Sequence, residues 1–150
     1  MNHWPYPRWI AHRGAGKLAP ENTLAAFRLG AAHGYRMFEC DAKLCADGVV
    51  FLMHDATLER TTNGRGIGGE LPWQALSQLD AGGWHSRAFA GEPLPTLEAL
   101  ARFCLATGQC YNAFYVAAGL RHLGCGSAGC AAYRIFLQLH CTQTFATTYP

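Results

Sequence analysis

The first 55 residues contain five side chains whose types and spacing suit acid-base and metal-assisted chemistry: His12, Arg13, Glu39, Asp41 and His54. Histidine titrates near neutral pH, so His12 and His54 are a candidate general acid and base. The fork of donors on Arg13 can hold a phosphate. Together the five indicate chemistry on a phosphate ester. Taken singly, a histidine is more often a packed or capped residue, and an arginine is often half of a surface ion pair.

The carboxylates Glu39 and Asp41 lie two residues apart in a segment, 37–44, that we predict to be a strand. Side chains at i and i+2 share one face of a strand, while Cys40 points to the other face, towards a layer of helices. Two adjacent carboxylates repel each other, and a divalent cation relieves that repulsion. Their hard oxygen ligands favour Mg²⁺ or Ca²⁺ over zinc. The alternative is a solvated acidic edge of the strand.

Local patterns predict the elements that carry these residues. The predicted elements are a short buried strand at 9–11, a helix at 22–32 capped by Asn22 or Thr23, strands at 37–44 and 49–53, and a helix that begins after Thr96. Strand, helix and strand in this order predict a parallel βαβ unit. His12 directly follows the first predicted strand, and His54 directly follows the third. Functional residues after strand ends are typical of a (β/α)8 barrel.

Composition excludes several classes of protein. A chain of 150 residues that is 50% apolar and 15% charged is a globular domain, and a net charge of +2 is too small for a nucleic-acid surface. No apolar run is long enough to cross a membrane. Residues 1–8 lack the features of a secretory signal, so we expect a cytoplasmic protein. The sequence leaves the oligomeric state open.

Two further motifs are weak. Gly64, Gly66 and Gly69 match G-x-G-x-x-G, but they follow a turn and not a strand, so we predict a loop and no dinucleotide site. The seven cysteines include the pairs Cys40/Cys45 and Cys125/Cys130, whose spacing is wider than that of structural zinc sites. In a cytoplasmic protein we expect them to be thiols.

The charged residues are distributed unevenly. All ten acidic residues lie between Glu21 and Glu98, and the last 52 positions contain no Asp, Glu or Lys. Four of the seven cysteines fall in the last 41 positions. A solvated surface normally mixes both signs of charge, so this break is unusual within one small domain.

Over about residues 8–104 the chain resembles the glycerophosphodiester phosphodiesterase family, and most of all its cytoplasmic bacterial branch linked to glycerol-3-phosphate uptake. The matching motifs are His12-Arg13-Gly14, Ala19-Pro20-Glu21-Asn22-Thr23, Glu39-x-Asp41, His54-Asp55, Leu58-Glu59-Arg60-Thr61-Thr62-Asn63-Gly64, Leu79-Asp80-Ala81-Gly82 and Pro95-Thr96-Leu97.

The resemblance implies the N-terminal part of a TIM (β/α)8 barrel, truncated, with a small insertion at about 56–91. It implies hydrolysis of small glycerophosphodiesters to sn-glycerol 3-phosphate and an alcohol, in lipid and glycerol metabolism. It also implies one divalent cation, Mg²⁺ or Ca²⁺, bound by Glu39, Asp41 and a third carboxylate. His12 and His54 match the family's acid/base pair, and Arg13 matches its phosphate contact.

The chain departs from the family pattern after residue 104. The family's third metal ligand and a site lysine lie in a strand of the type Asn-x-Glu-x-Lys, where this chain reads Gln109-Cys110-Tyr111-Asn112-Ala113-Phe114. We therefore divide the chain into a barrel part, 1–104, and a non-matching tail, 105–150, for which the simplest hypothesis is a frameshift near 105–109. The alternatives to an active phosphodiesterase are a catalytically inactive remnant and a module that binds glycerophosphate-like ligands without turnover.

Overall fold

The computed structural model describes residues 7–108 in full and the backbone of two further strands at 110–115 and 136–139. Its α-helices are α1 (Leu24–Ala32), α2 (Trp73–Leu76) and α3 (Leu97–Thr107), its strands are β1 (Met37–Leu44), β2 (Val50–Leu52), β3 (Cys110–Tyr115) and β4 (Phe136–Leu139), and its 3-10 turns are Gly68–Glu70 and Arg87–Phe89. Predictions about residues 116–135 and 140–150, which include Cys125 and Cys130, lie outside the described residues.

Four strands form one sheet in the order β2-β1-β3-β4. β1 and β3 are parallel, with Glu39 opposite Asn112 and Asp41 opposite Phe114, and β4 pairs antiparallel with β3. The segment between β1 and β3 contains α3, which contacts both β2 and β3. The predicted strand at 37–44 and the helix after Thr96 are confirmed, and β1 with β3 forms the parallel core of the sheet.

The third predicted strand is present and pairs antiparallel with its neighbour. β2 pairs antiparallel with the end of β1, with Ala42 opposite Leu52 and Leu44 opposite Val50. The turn signal Asp47-Gly48 closes a hairpin here, and a hairpin connects antiparallel strands. His54 therefore does not follow a parallel barrel strand. The hairpin brings the chain back alongside the middle of β1, where Met53 N donates to Asp41 O at 2.9 Å.

The first predicted strand is reduced to a single bridge. Ala11 pairs in parallel with Phe38, donating from its N to Met37 O and accepting at its O from Glu39 N, both at 2.9 Å. Trp9 and Ile10 are 72% and 40% exposed, so the prediction of a buried strand was wrong for them. The bridge still places His12 directly beyond the ladder, beside β1.

Helix α1 holds the loop that carries His12 and Arg13. Thr23 is its N-cap, accepting from Ala26 N at 3.2 Å, and Asn22 serves another purpose described below. Two glycines allow the loop to touch the helix: a Cβ on Gly30 would lie 2.2 Å from Gly14 O, and one on Gly14 would lie 2.8 Å from Ala26 Cβ. Larger residues at either position would push the loop away.

The described apolar residues form two clusters. One lies between the sheet and helices α1 and α3 and includes Phe27, Phe38, Cys40 and Leu100. Cys40 is fully buried there, so Glu39 and Asp41 face the opposite side of β1, as predicted. The second cluster packs residues of the 56–94 segment, such as Leu58 and Leu76, onto Phe51 of β2. No helix among the described residues is long and apolar enough to span a membrane.

Candidate functional site

The two carboxylates of β1 meet the 12–22 loop in what we call the inner cluster, formed by Arg13, Asn22, Glu39 and Asp41. Asn22 and Asp41 exchange two hydrogen bonds of 3.0 Å, from Asn22 Nδ2 to Asp41 Oδ2 and from Asp41 N to Asn22 Oδ1. Arg13 N donates to Glu39 Oε2 at 3.0 Å. Asn22 is 2% exposed and Asp41 6%. The loop and the strand are therefore joined by buried polar contacts.

The side chain of Arg13 lies against carboxylates. Its Nη1 donates to Glu21 Oε1 at 2.8 Å, and its Nε lies 3.0 Å from Asp41 Oδ2. The Nε–H is not directed at that oxygen and makes no hydrogen bond with a described residue. Arg13 and Asn22 both have positive φ, 51° and 58°. Non-glycine residues in this region are uncommon and cluster at functional sites.

His12 stands at the open edge of the inner cluster. Its side chain is 67% exposed, and its Nε2 lies 3.8 Å from Glu39 Oε2. That distance is too long for a hydrogen bond but short enough for a favourable charge interaction when the ring is protonated. The histidine is thus accessible to a ligand and sits beside a carboxylate.

A second group, which we call the rim cluster, consists of His54, Asp55 and Arg60. His54 Nδ1 lies 2.7 Å from Asp55 Oδ1. Arg60 donates from Nε to Asp55 Oδ2 at 2.5 Å and from Nη2 to Oδ1 at 3.0 Å. The side chain of His54 is 44% exposed and that of Arg60 43%. This cluster is more open to solvent than the inner one.

Glu21 joins the two clusters. Its Oε1 accepts from Arg13 Nη1 and from Arg60 Nη2, both at 2.8 Å, and its Oε2 accepts from Arg60 Nη1 at 2.9 Å. Burial tends to raise the pKa of Glu21, but the hydrogen bonds and charges of Arg60 and Arg13 outweigh it and lower the pKa. The five predicted site residues therefore lie along one chain of alternating charges, with His12 and His54 at its two ends.

Three participants were not assigned by the sequence reasoning: Glu21, Asp55 and Arg60. All three lie in the motifs that carry the family resemblance, so position within a motif was the available signal. Asn22 was predicted only as a possible helix cap. Lys43 was also missed, although it is two residues beyond Asp41 and thus on the same face of β1. It is 4% exposed, and burial lowers its pKa against the opposing effect of Asp41 and Asp55.

The inner cluster has surplus negative charge of the kind a cation relieves. Burial, reinforced by the neighbouring Asp41, raises the pKa of Glu39. Among residues 7–108 no group of three or more His, Cys, Asp or Glu side chains is placed to hold a metal ion. Mg²⁺, however, commonly binds through one or two carboxylates while keeping water and substrate oxygens as its other ligands. Glu39 and Asp41 fit that mode of binding.

The neighbouring strand supplies no carboxylate at the level of this pair. β3 lies parallel to β1 with Asn112 opposite Glu39 and Phe114 opposite Asp41. Parallel strands present residues of matching register at the same height of the sheet. A third carboxylate on β3 would have to stand at one of these two positions, and neither residue is acidic.

Comparison with known sequences gives a consistent result. The sequence model of the glycerophosphoryl diester phosphodiesterase family matches residues 12–113. The glycerophosphodiester phosphodiesterase of Caldanaerobacter subterraneus is 44% identical over 88 residues, which are 59% of this chain and 36% of that protein. Family membership thus rests on most of the described part of the chain.

Solved structures agree with the sequence comparison. An Oleispira antarctica phosphodiesterase, in complex with the product sn-glycerol-3-phosphate, is 38% identical with a TM-score of 0.72 over 75% of this chain and 45% of that one. A glycerophosphodiester phosphodiesterase from Agrobacterium tumefaciens is also 38% identical, with a TM-score of 0.65 over 72% and 46%. The predicted fold class, the N-terminal part of a (β/α)8 barrel, is confirmed. The chain spans less than half the length of these proteins.

Proposed function

Because the chain belongs to the glycerophosphoryl diester phosphodiesterase family, we propose that it hydrolyses small glycerophosphodiesters to sn-glycerol 3-phosphate and an alcohol. The observation that carries the proposal is the line of contacts from Asp41 through Arg13 and Glu21 to the rim cluster. It places two accessible histidines on either side of buried carboxylates. The product bound by the Oleispira relative is the one this reaction would release.

The proposed roles follow from the chemistry of each side chain. One histidine removes the proton from the attacking group, and the other protonates the leaving alkoxide. The attacking group is water, or the substrate's own glycerol hydroxyl, in which case water then opens the cyclic phosphate to give glycerol 3-phosphate. His12 and His54 are both exposed enough to reach a ligand. Glu39 and Asp41 would hold Mg²⁺ or Ca²⁺, which when bound supplies positive charge against the phosphate.

Arg13 has two proposed tasks. In the ligand-free chain it neutralises Asp41 and Glu21. We also assign its guanidinium to a phosphate oxygen, the contact that the family resemblance implies. A guanidinium already fixed by two carboxylates loses little conformational entropy when it binds phosphate, which favours binding.

The experiment is an assay of glycerol 3-phosphate release from glycerophosphocholine by the 150-residue chain, with Mg²⁺ or Ca²⁺ and with chelator. We expect metal-dependent turnover that His12→Ala and His54→Ala each reduce by at least about a hundredfold. The matched control is His33→Ala, which removes an exposed histidine at the end of α1. Turnover that is insensitive to chelator, or reduced equally by His33→Ala, would contradict the proposal.

A second candidate is a catalytically inactive remnant of the same enzyme, and the register of β3 favours it. With Asn112 and Phe114 opposite the carboxylates, that strand offers no third carboxylate at this level. Phe114→Glu would add a carboxylate opposite Asp41, and Phe114→Gln is its uncharged control. Calorimetric Mg²⁺ titration of a remnant should show weak binding that Phe114→Glu strengthens by about tenfold or more. Equal affinities in all three proteins would argue against this candidate.

The remaining proposals concern organisation and location. We assign residues 1–104 to the barrel part, with an insertion at about 56–91, and treat the frameshifted tail as a hypothesis that the other two reading frames of the coding DNA would test. We also propose a cytoplasmic protein of glycerol and lipid metabolism.

A further inference from the structure

Arg60 connects two loops that are distant in sequence. Its guanidinium donates to both oxygens of Glu21, at 2.9 and 2.8 Å, and to both oxygens of Asp55, at 2.5 and 3.0 Å. Glu21 belongs to the loop that carries His12, and Asp55 is adjacent to His54. Paired bonds to one carboxylate already fix the orientation of a guanidinium, and two such pairs fix it against both loops.

The effect of this arrangement reaches His54 through Asp55. The short contact between His54 Nδ1 and Asp55 Oδ1, 2.7 Å, requires a proton on Nδ1, because a carboxylate only accepts hydrogen bonds. The atom left to face a ligand is then Nε2. This holds whether the ring is neutral or protonated, so the orientation serves either an acid or a base.

Asp55 can hold the ring in this way only while it remains ionised and oriented. The hydrogen bonds from Arg60 are the largest cause that lowers the pKa of Asp55, followed by the bond with His54, against a raising effect of burial. Arg60 also occupies both carboxylate oxygens, so the carboxylate cannot rotate without breaking a bond. The ordering of His54 therefore depends on a residue six positions away that acts on it through Asp55.

We propose that Arg60 is a positioning residue, which clamps Asp55 to Glu21 and thereby holds His54 with its proton on Nδ1 and its Nε2 towards the site. The inference rests on the proposed function for its catalytic meaning. The clamp itself is a property of the ligand-free chain. Its geometry, and not its charge alone, is what matters, because a lysine at this position would offer a point charge in place of two forks.

The test is the tautomer of His54, read from ¹⁵N shifts of the neutral ring in the ¹⁵N-histidine-labelled chain. His54→Gln identifies the signal among those of the seven histidines. We expect the Nδ1–H form to dominate in the wild type. Arg60→Ala should shift the ratio of the two tautomers by about fivefold, which corresponds to one net hydrogen bond. Arg60→Lys should restore only a minor part of that ratio.

The matched control is Arg102→Ala. Arg102 also pairs with a carboxylate, Glu98, through bonds of 3.1 and 2.7 Å, but it lies on α3 away from the site. We expect this variant to leave the His54 tautomer unchanged. A ratio that is the same in wild type, Arg60→Ala and Arg60→Lys would overturn the proposal, as would full restoration by lysine, because charge alone would then suffice.

Kinetics supply the second measurement. For a positioning residue we expect Arg60→Ala to lower kcat by about 10- to 100-fold, with a much smaller change in KM. If Arg60→Ala lowers kcat/KM only by raising KM, the result would contradict a positioning role and indicate that Arg60 binds the substrate directly. A wild-type chain that shows the Nδ1–H tautomer but no turnover would contradict the proposed function while supporting the clamp. The two failures are thus distinguishable.

Discussion

The inner cluster and the rim cluster use the same kinds of side chain in different surroundings. In the inner cluster the side chains of Arg13 and Asp41 are 17% and 9% exposed. In the rim cluster the side chains of Arg60 and Asp55 are 43% and 27% exposed, and their closest nitrogen–oxygen distance is 2.5 Å against 3.0 Å for Arg13 and Asp41. Both clusters hold a guanidinium nitrogen within 3.0 Å of a carboxylate oxygen, and the exposure of the side chains to water is the main difference between them.

Burial sets what each cluster contributes. A charged pair removed from water leaves a costly unpaired ion when one partner is lost, whereas a solvated ion pair contributes little to stability. We therefore expect the inner cluster to determine whether the loop folds onto β1. The rim cluster should instead determine how His54 is oriented. Four substitutions test this contrast, from the largest expected loss of stability to the smallest.

The largest loss should come from Arg13→Ala. The substitution leaves the buried Asp41 without its neighbouring guanidinium, while Glu21 keeps its hydrogen bonds from Arg60. We expect the free energy of unfolding in urea to fall by about 3 to 4 kcal/mol. The rim counterpart, Arg60→Ala, should lose no more than about 1 kcal/mol. Equal losses would show that burial does not separate the clusters.

The next largest loss should come from Asn22→Ala. It removes both hydrogen bonds to Asp41 and leaves the buried Asp41 N–H unpaired, and alanine is strained at a φ of 58°. We expect the free energy of unfolding to fall by about 3 kcal/mol. Asn22→Gly loses the same hydrogen bonds without the backbone strain. Its free energy of unfolding, measured by thermal unfolding, should therefore be about 1 kcal/mol higher than that of the alanine variant. If the glycine variant is no more stable than the alanine variant, backbone strain does not contribute to the loss.

A smaller loss should follow from crowding the backbone contact beneath the inner cluster. In Gly30→Ala the new Cβ would lie 2.2 Å from Gly14 O. Because Gly14 O is a backbone atom, relieving this clash requires the whole loop to move. The matched change near the rim is Gly64→Ala, where the Cβ would meet Leu79 Cδ1, the end of a flexible side chain, at 2.8 Å. We expect a loss of about 2 kcal/mol for Gly30→Ala and clearly less for Gly64→Ala, measured by urea unfolding. A larger loss for Gly64→Ala than for Gly30→Ala would show that stability does not depend on the contact between Gly30 and Gly14.

The smallest loss concerns acid stability at the rim. Arg60 holds the pKa of Asp55 below its ordinary value of 3.8. A lowered pKa stabilises the fold above the unfolded value, and that contribution disappears as the pH falls through the folded value. Asp55→Asn should therefore cost about 1 kcal/mol at pH 7, and the gap from wild type should begin to narrow as the pH falls below about 4. A gap that does not narrow at all between pH 4 and pH 2 would assign the loss to packing.

Much of the local structure could be predicted because it depends on neighbours in sequence. The bounds of β1, the cap at Thr96 and the shared face of Glu39 and Asp41 follow from period-two alternation and from a hydroxyl that caps its own helix. The buried position of Cys40 follows from the same alternation. The roles assigned to the five site residues remain predictions.

Long-range partners were the part that could not be predicted. The pairing of β2 with β1 was not predicted, because an apolar run does not show which neighbour it pairs with. The buried strand predicted at 9–11 shrank to the bridge at Ala11, because Trp9 and Ile10 are exposed. The partners of Arg13 were also not predicted: its sequence role was a phosphate contact, and in the structure its guanidinium lies against the carboxylates of Glu21 and Asp41.

The sequence by itself determined the family, the inventory of acid, base and carboxylate groups, and the face of β1 on which the carboxylates stand. These depend on residue identity and on spacings of a few positions. Only the tertiary structure decided that Glu21 joins the two clusters and that Arg60 holds Asp55 beside His54. A contact between residues 39 positions apart is set by how the elements pack, because no local pattern encodes which of several carboxylates a guanidinium will meet.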